Sequence, residues 1–268
     1  MPKTRARRWE TLLLCVGLLA GCSRREEPVA PKTPAGQVPE SALKGVVRTN
    51  LDSPKPTPAQ LARKARSIAA VKGMGLPVID HLPVIEDEAK LAPRTTEEVA
   101  GRCLATEFAA VKGESNDSRL VASLVKEFSA QRFLSPKEST FLANPAPSQR
   151  ELADFAWGYE CVHVFLWALG YLPELKPPDQ IADVPHEAGL IRERGPGGFA
   201  GGAKLRPLGE ILDQADLYYR IHWGVTELRL KGGRSDRADP EIVMERHRAL
   251  NWLIRYMNQS WDDVTTDT

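Results

Sequence analysis

Two stretches of this chain carry basic side chains at spacings that could do chemistry. In DLYYRIHWGV, Arg220 follows Asp216 by four residues and His222 lies just beyond. In MERHRALNW, Arg246 and His247 are adjacent, with Asn251 one turn further on. The chain then ends in WDDVTTDT, which supplies Asp262, Asp263 and Asp267. Two imidazoles and a carboxylate can bind zinc, and a carboxylate–histidine pair can act as a general base on water. The same residues can instead form a polar structural network. His222 lies on a stripe with Ile211, Ala215, Tyr218 and Val225, and His247 on one with Val243, Leu250 and Ile254. Polar groups facing a core need partners, because an unpaired buried one costs about 1–3 kcal/mol. The terminal carboxylates are the expected partners of Arg220, Arg246 and His247, and the structural network is the favoured reading.

Other constellations are weaker. No H-E-x-x-H spacing is present. Glu160 and His163 form one E-x-x-H, but a di-iron bundle needs two such motifs and two further glutamates. GPGGFAGGAK at 195–204 resembles a phosphate loop in composition only. It lacks the Gly-Lys-Ser/Thr ending and a preceding strand pattern, and it is expected to be a flexible loop. No G-x-S-x-G elbow occurs. No cofactor is implied. Trp157, Trp167, Trp223, Trp252 and Trp261 are read as core residues whose indole N–H groups look to the acidic tail for acceptors.

Helices must position these groups. Thr57/Gln60, Thr95/Glu98, Ser135/Glu138 and Ser148/Glu151 read as helix starts in which a hydroxyl and a side-chain oxygen satisfy exposed N–H groups. Asp239-Pro240 opens the last helix and Gly232-Gly233 closes the one before. Three stretches carry wide apolar stripes expected to form the centre of the domain. The first holds Leu152, Phe155, Tyr159, Val162, Leu166 and Leu169. The second holds Leu208, Ile211, Leu212, Ala215, Tyr218 and Val225. The third holds Ile242, Val243, Leu250, Leu253, Ile254 and Met257. GLPVIDHLPVIEDE, at 75–88, is extended by its prolines and reads as a short strand or an ordered loop. The Pro/Gly-rich stretch 177–207 reads as a long connection. The expected fold is mainly α: one multi-helix domain over 57–268, with at most one short β element.

The front of the chain reads differently. Lys3, Arg5, Arg7 and Arg8 precede an apolar run from Leu12 to Ala20, too short for a membrane helix, which needs roughly 20 residues. This is the pattern of an export signal. LAGC at 19–22 resembles the lipobox of bacterial lipoproteins, which implies cleavage after residue 21 and lipid on Cys22. Ser23, by the same resemblance, implies sorting to the outer membrane, facing the periplasm. Residues 22–56 are rich in Pro, Lys, Glu, Ala and Thr and read as a disordered tether spanning roughly 30–35 Å.

Processing changes the charge balance. Of 36 basic and 35 acidic side chains, the first 21 residues remove four and one, leaving 32 against 34. Nothing in that balance suits nucleic acid. The expected partners are the membrane, through lipidated Cys22, and an envelope protein. Cys103 and Cys161 remain, without C-x-x-C spacing. Buried unreacted thiols are the favoured reading, with a disulfide as the alternative in an oxidising compartment.

Four stretches are similar to an uncharacterised bacterial family described as domain of unknown function 4272: RTTEEVAGRCLA (94–105), FAWGYECVHVFLWALGYL (155–172), LRPLGEILDQADLYYRIHWGV (205–225) and ERHRALNWLIRYMNQSWDDVTTDT (245–268). The resemblance spans roughly 60–268. It implies a single helical domain and supplies no activity, cofactor or catalytic residue. The functional expectation is an envelope lipoprotein whose domain is a binding or interaction module. The alternative is a lipid-anchored hydrolase using the Arg/His/Asp cluster.

Overall fold

Four hydroxyl caps set the frame. Thr57, Thr95, Ser135 and Ser148 each accept the backbone N–H three residues on, and the residue at that position returns a side-chain oxygen to the cap N–H. They open α1 (Pro58–Gly73), α2 (Thr96–Ser115), α4 (Pro136–Ala143) and α5 (Gln149–Ala156). Asp117 caps α3 (Ser118–Glu127), and α6 (Gly158–Ala168) starts just past α5, at Trp157. The remaining helices are α7 (Val184–Gly201), α8 (Leu208–Leu230) and α9 (Pro240–Leu253). The computed structural model describes residues 55–268. The leader 1–21, Cys22 and all but the last two residues of the 22–56 tether lie outside the described residues.

Among the described residues there is no strand, so the domain is all-α. The 75–88 stretch takes the ordered-loop alternative and ends in a 3-10 turn, Glu88–Lys90, capped by Asp87. Thr57–Thr268 forms one compact unit. No helix among these residues is long and apolar enough to cross a membrane.

Helix α2 was not among the stripes expected at the centre, yet it is buried from Val99 to Gly113. Small residues permit this. A Cβ on Gly101 would lie 2.3 Å from the Phe133 ring, and one on Gly113 would lie 2.6 Å from the backbone of α5. Helix α2 therefore meets α3, α4, α5, α6 and α7, while α6 packs on α9, α9 on α8, and α8 on α1. Two charged residues of α2 are spent inside this packing. The Lys112 ammonium donates to the carbonyls of Phe141, Leu142 and Asn144 at 2.7–3.0 Å, closing the unsatisfied end of α4. Arg102 pairs with Glu138 at the start of α4.

The three expected stripes are mostly core, with three departures, of which Leu208 is half-buried at the start of α8. Phe155 is half-buried and stacks on Phe141. Met257 is 70% exposed, because α9 ends at Leu253 and the chain turns through left-handed backbone at Arg255.

The 177–207 stretch is not simply a connection, and its glycine-rich part is not a flexible loop. It contains α7, started by Asp183, which accepts the His186 N–H, and by Pro185 in the first turn. The helix is interrupted at Gly195 (φ 62°, ψ 180°), just before Pro196, and resumes to bury Phe199 against Tyr171.

Candidate functional site

The acidic tail does not meet the arginines and histidines that it was expected to satisfy. Asp262 accepts the backbone N–H of Lys137 at 2.9 Å, while Lys137 Nζ donates to the Asp262 carbonyl. Asp263 accepts from Ser260 Oγ, and Asp267 from Thr265 Oγ1. The tail is held to the bundle by other means. Trp261 is buried against Phe165 and Trp252. Asn251 Nδ2 donates to the Thr265 carbonyl at 2.9 Å, and Arg248 to the Trp261 carbonyl at 3.3 Å. Asn251 is thus the member of the expected cluster that touches the tail directly.

The tail carboxylates accept no indole N–H. Guanidinium groups cover indole faces instead: Arg94 over Trp252 at 3.7 Å, Arg248 over Trp261 at 4.2 Å and Arg206 over Trp167 at 5.0 Å. Trp167, Trp252 and Trp261 are core, Trp223 is half-buried, and Trp157 is exposed at the α5–α6 junction.

Arg246 finds its charge partner on a different helix. Its Nε donates to Glu160 Oε2 at 2.9 Å, Nη1 to the Lys176 carbonyl at 2.6 Å and to the Tyr218 hydroxyl at 3.2 Å, and Nη2 to the Gln180 carbonyl at 3.3 Å. Glu160 Oε1 accepts the Ala182 N–H at 2.8 Å. One ion pair thus ties α6, α8, α9 and the 176–182 segment together. Burial alone would pull the Arg246 pKa down, but Tyr218 and Glu160 outweigh it and hold the group above the ordinary arginine value. Arg220 pairs with Asp216 through two hydrogen bonds of 3.0 and 2.8 Å, as the four-residue spacing predicts. Its Nη2 also reaches the Pro83 carbonyl and its Nη1 has no partner.

Glu160 and His163 share no hydrogen bond: Glu160 pairs with Arg246, and His163 turns to α7. His163 Nδ1 lies 2.6 Å from Glu187 Oε1 on α7. That is salt-bridge distance, but burial, first of all, pushes Glu187 up to about 8 and pulls His163 down to about 4. Burial thus works against the charged form of both groups at this contact. His163 Nε2 is buried and unpartnered. Glu107 on α2 is also buried; desolvation, with help from Glu187 and Glu114, raises it to about 8. The signal for this interior was a carboxylate inside the apolar run GYECVHVFLWAL and another within the small-residue run of α2, both of which demand a buried partner or a proton.

The histidine pair is arranged differently. His222 Nδ1 and His247 Nδ1 approach to 3.0 Å with the rings nearly perpendicular, at 84°. His247 is fully buried and His222 half-buried. Desolvation lowers His222 to about 4 and His247 to about 3; Arg229 adds to the first, His222 to the second, and Asn251 partly opposes the latter by hydrogen bonding. Both rings are neutral at ordinary pH. The expected cluster of Asp216, Arg220, His222, Arg246, His247, Asn251, Asp262, Asp263 and Asp267 is thus divided among separate environments. Among the described residues no three His, Cys, Asp or Glu side chains form a metal-ligand set. Cys103 and Cys161 are free, buried thiols, the favoured reading, and Cys161 Sγ contacts the Glu245 carbonyl at 3.2 Å.

No curated protein and no solved structure matches this chain. A family model does, over residues 63–264, in agreement with the four similar stretches. The chain belongs to the family described as Domain of unknown function (DUF4272).

Proposed function

We propose that the chain is a bacterial envelope lipoprotein, held on a membrane through lipid at Cys22, whose helical domain is a binding or interaction module. The location rests on the basic start, the short apolar run and LAGC at 19–22. Two or more acyl chains at about 0.8 kcal/mol per buried methylene would anchor it stably. Ser23 favours the outer membrane, with the domain in the periplasm and an envelope protein as its partner.

The observation that carries the module reading, against a hydrolase, is the enclosure of Arg246. Its hydrogen bonds end on Glu160, Tyr218 and the 176–180 carbonyls, and it is 1% exposed. A guanidinium placed this way holds four segments together and has no side turned to a substrate. Radiolabelled palmitate supplied to expressing cells tests the anchor. Label should enter the wild-type chain, and Cys22→Ala should carry none and accumulate as uncleaved precursor. Equal label in the variant would refute the assignment.

A further inference from the structure

Arg102 is only 5% exposed, yet its guanidinium is not fully spent. Its Nε donates to Thr106 Oγ1 at 3.2 Å and its Nη2 to Glu138, while Nη1 makes no hydrogen bond with the described residues. Unlike Arg220 Nη1, it is not sealed off from solvent. Arg102 lines a cleft of about 310 Å³, and Nη1 is the nitrogen left to face it. That volume stands at the small end of ligand sites, which run roughly 300–1,000 Å³. A buried cation with one donor unspent, at the floor of a cleft, favours an anionic acceptor.

The walls decide what else the acceptor must carry. Phe133 and Trp252 supply aromatic surface. Phe133 reaches this position because Gly101 has no side chain: a Cβ there would lie 2.3 Å from the Phe133 ring. Trp252 is pinned by the Arg94 guanidinium, 3.7 Å from its ring. The rim carries Glu97, Glu98 and Arg132. Glu98 is committed, since the Thr95 N–H, Arg94 and Arg255 all donate to it. Glu97 and Arg132 pair with each other at 2.9 Å, their side chains 64% and 66% exposed. An exposed pair of this kind contributes little to stability and opens readily. Once open, it offers one carboxylate and one guanidinium to the same cleft.

We propose that this cleft binds a free α-amino acid with an aromatic or aliphatic side chain. Its carboxylate bridges Arg102 Nη1 and Arg132, its ammonium pairs with Glu97, and its side chain lies against Phe133 and Trp252. A zwitterion splits the Glu97–Arg132 pair and gives each member a new partner, so no charge is left over. A simple anion would leave Glu97 facing it, and a simple cation would leave Arg102 Nη1 unanswered. The inference rests on the binding-module reading and gives that module a ligand class, but it does not depend on the lipid anchor.

The test is calorimetric titration of L-phenylalanine into the purified full chain, beside hydrocinnamate, which lacks the ammonium, and phenethylamine, which lacks the carboxylate. The variants are Glu97→Gln and Arg132→Gln, both at exposed positions so that the fold is retained, with Arg150→Gln as a control at an exposed pair outside the cleft. Phenylalanine should bind saturably at a single site, and each half-ligand about tenfold or more weaker. Glu97→Gln should weaken phenylalanine about tenfold and spare hydrocinnamate, Arg132→Gln should weaken both, and Arg150→Gln neither. Absence of saturable binding by phenylalanine, or binding that Glu97→Gln and Arg132→Gln leave unchanged, would overturn the site. Hydrocinnamate binding as tightly as phenylalanine would overturn the zwitterion. Each of these results leaves the palmitate experiment unaffected, so the two proposals fail separately.

Discussion

Arg246 and His247 are neighbours in α9, yet a helix of 3.6 residues per turn points them about 100° apart, and the two directions serve different ends. Arg246 points into a sealed region in which Glu160, Tyr218 and backbone carbonyls take up its donors. His247 points at His222, a half-exposed ring whose Nδ1 lies 3.0 Å from its own. The contrast teaches that a run of basic residues is not one site. A charge that joins four segments is architecture; two neutral rings meeting nitrogen to nitrogen are a local hydrogen bond beside solvent.

The largest expected effect comes from breaking the sealed side. Arg246→Ala leaves Glu160 charged and buried and strips partners from the 176–180 carbonyls, so it should cost about 3–5 kcal/mol in urea unfolding.

The buried acids on α2 and α7 should leave a smaller, pH-dependent signature. Glu107 and Glu187 titrate at about 8 in the folded protein, against an ordinary value of 4.5. Between those values the native state holds protons that the unfolded chain has released. Their contribution is therefore fully present below pH 4.5 and is lost as pH rises toward 8, by up to about 1.4 kcal/mol per unit for each group. His163 and His222, each lowered to about 4, and His247, lowered to about 3, act in the opposite sense, their contributions being lost as pH falls below 6.5. Thermal melts should show stability declining from near pH 6.5 toward 8. Glu107→Gln should make that decline shallower; an unchanged slope would mean that Glu107 is ionised in its helix.

The smallest effect belongs to the histidines. Water can replace the half-exposed His222 ring beside His247, so His222→Ala should cost only about 1 kcal/mol.

How much of this was legible depended on distance along the chain. The caps at Thr57, Thr95, Ser135 and Ser148 were readable because each is completed within four residues, and Asp216–Arg220 was readable for the same reason. The partnership of Glu160 with Arg246 spans 86 positions. From Arg246 alone the tail aspartates looked equally suitable, and only the packing of α6 on α9 decides between them. Helix α7 was hidden by its own glycines: the Asp183 cap and Pro185 marked its start, but the Gly195–Gly202 composition read as a loop. There the burial of Phe199 outweighs weak helix propensity. The central place of α2 was masked because its burial comes from Ala and Gly on several faces, which produce no apolar stripe.

The most direct test of the account is urea unfolding of Arg246→Ala and His222→Ala in parallel with the wild type near pH 6.5. The account predicts a midpoint lowered severely, or no folded protein at all, for Arg246→Ala, and a midpoint close to wild type for His222→Ala. An Arg246→Ala protein as stable as the wild type would show that the guanidinium is not holding those segments together, and would return Arg246 to the list of residues kept for chemistry.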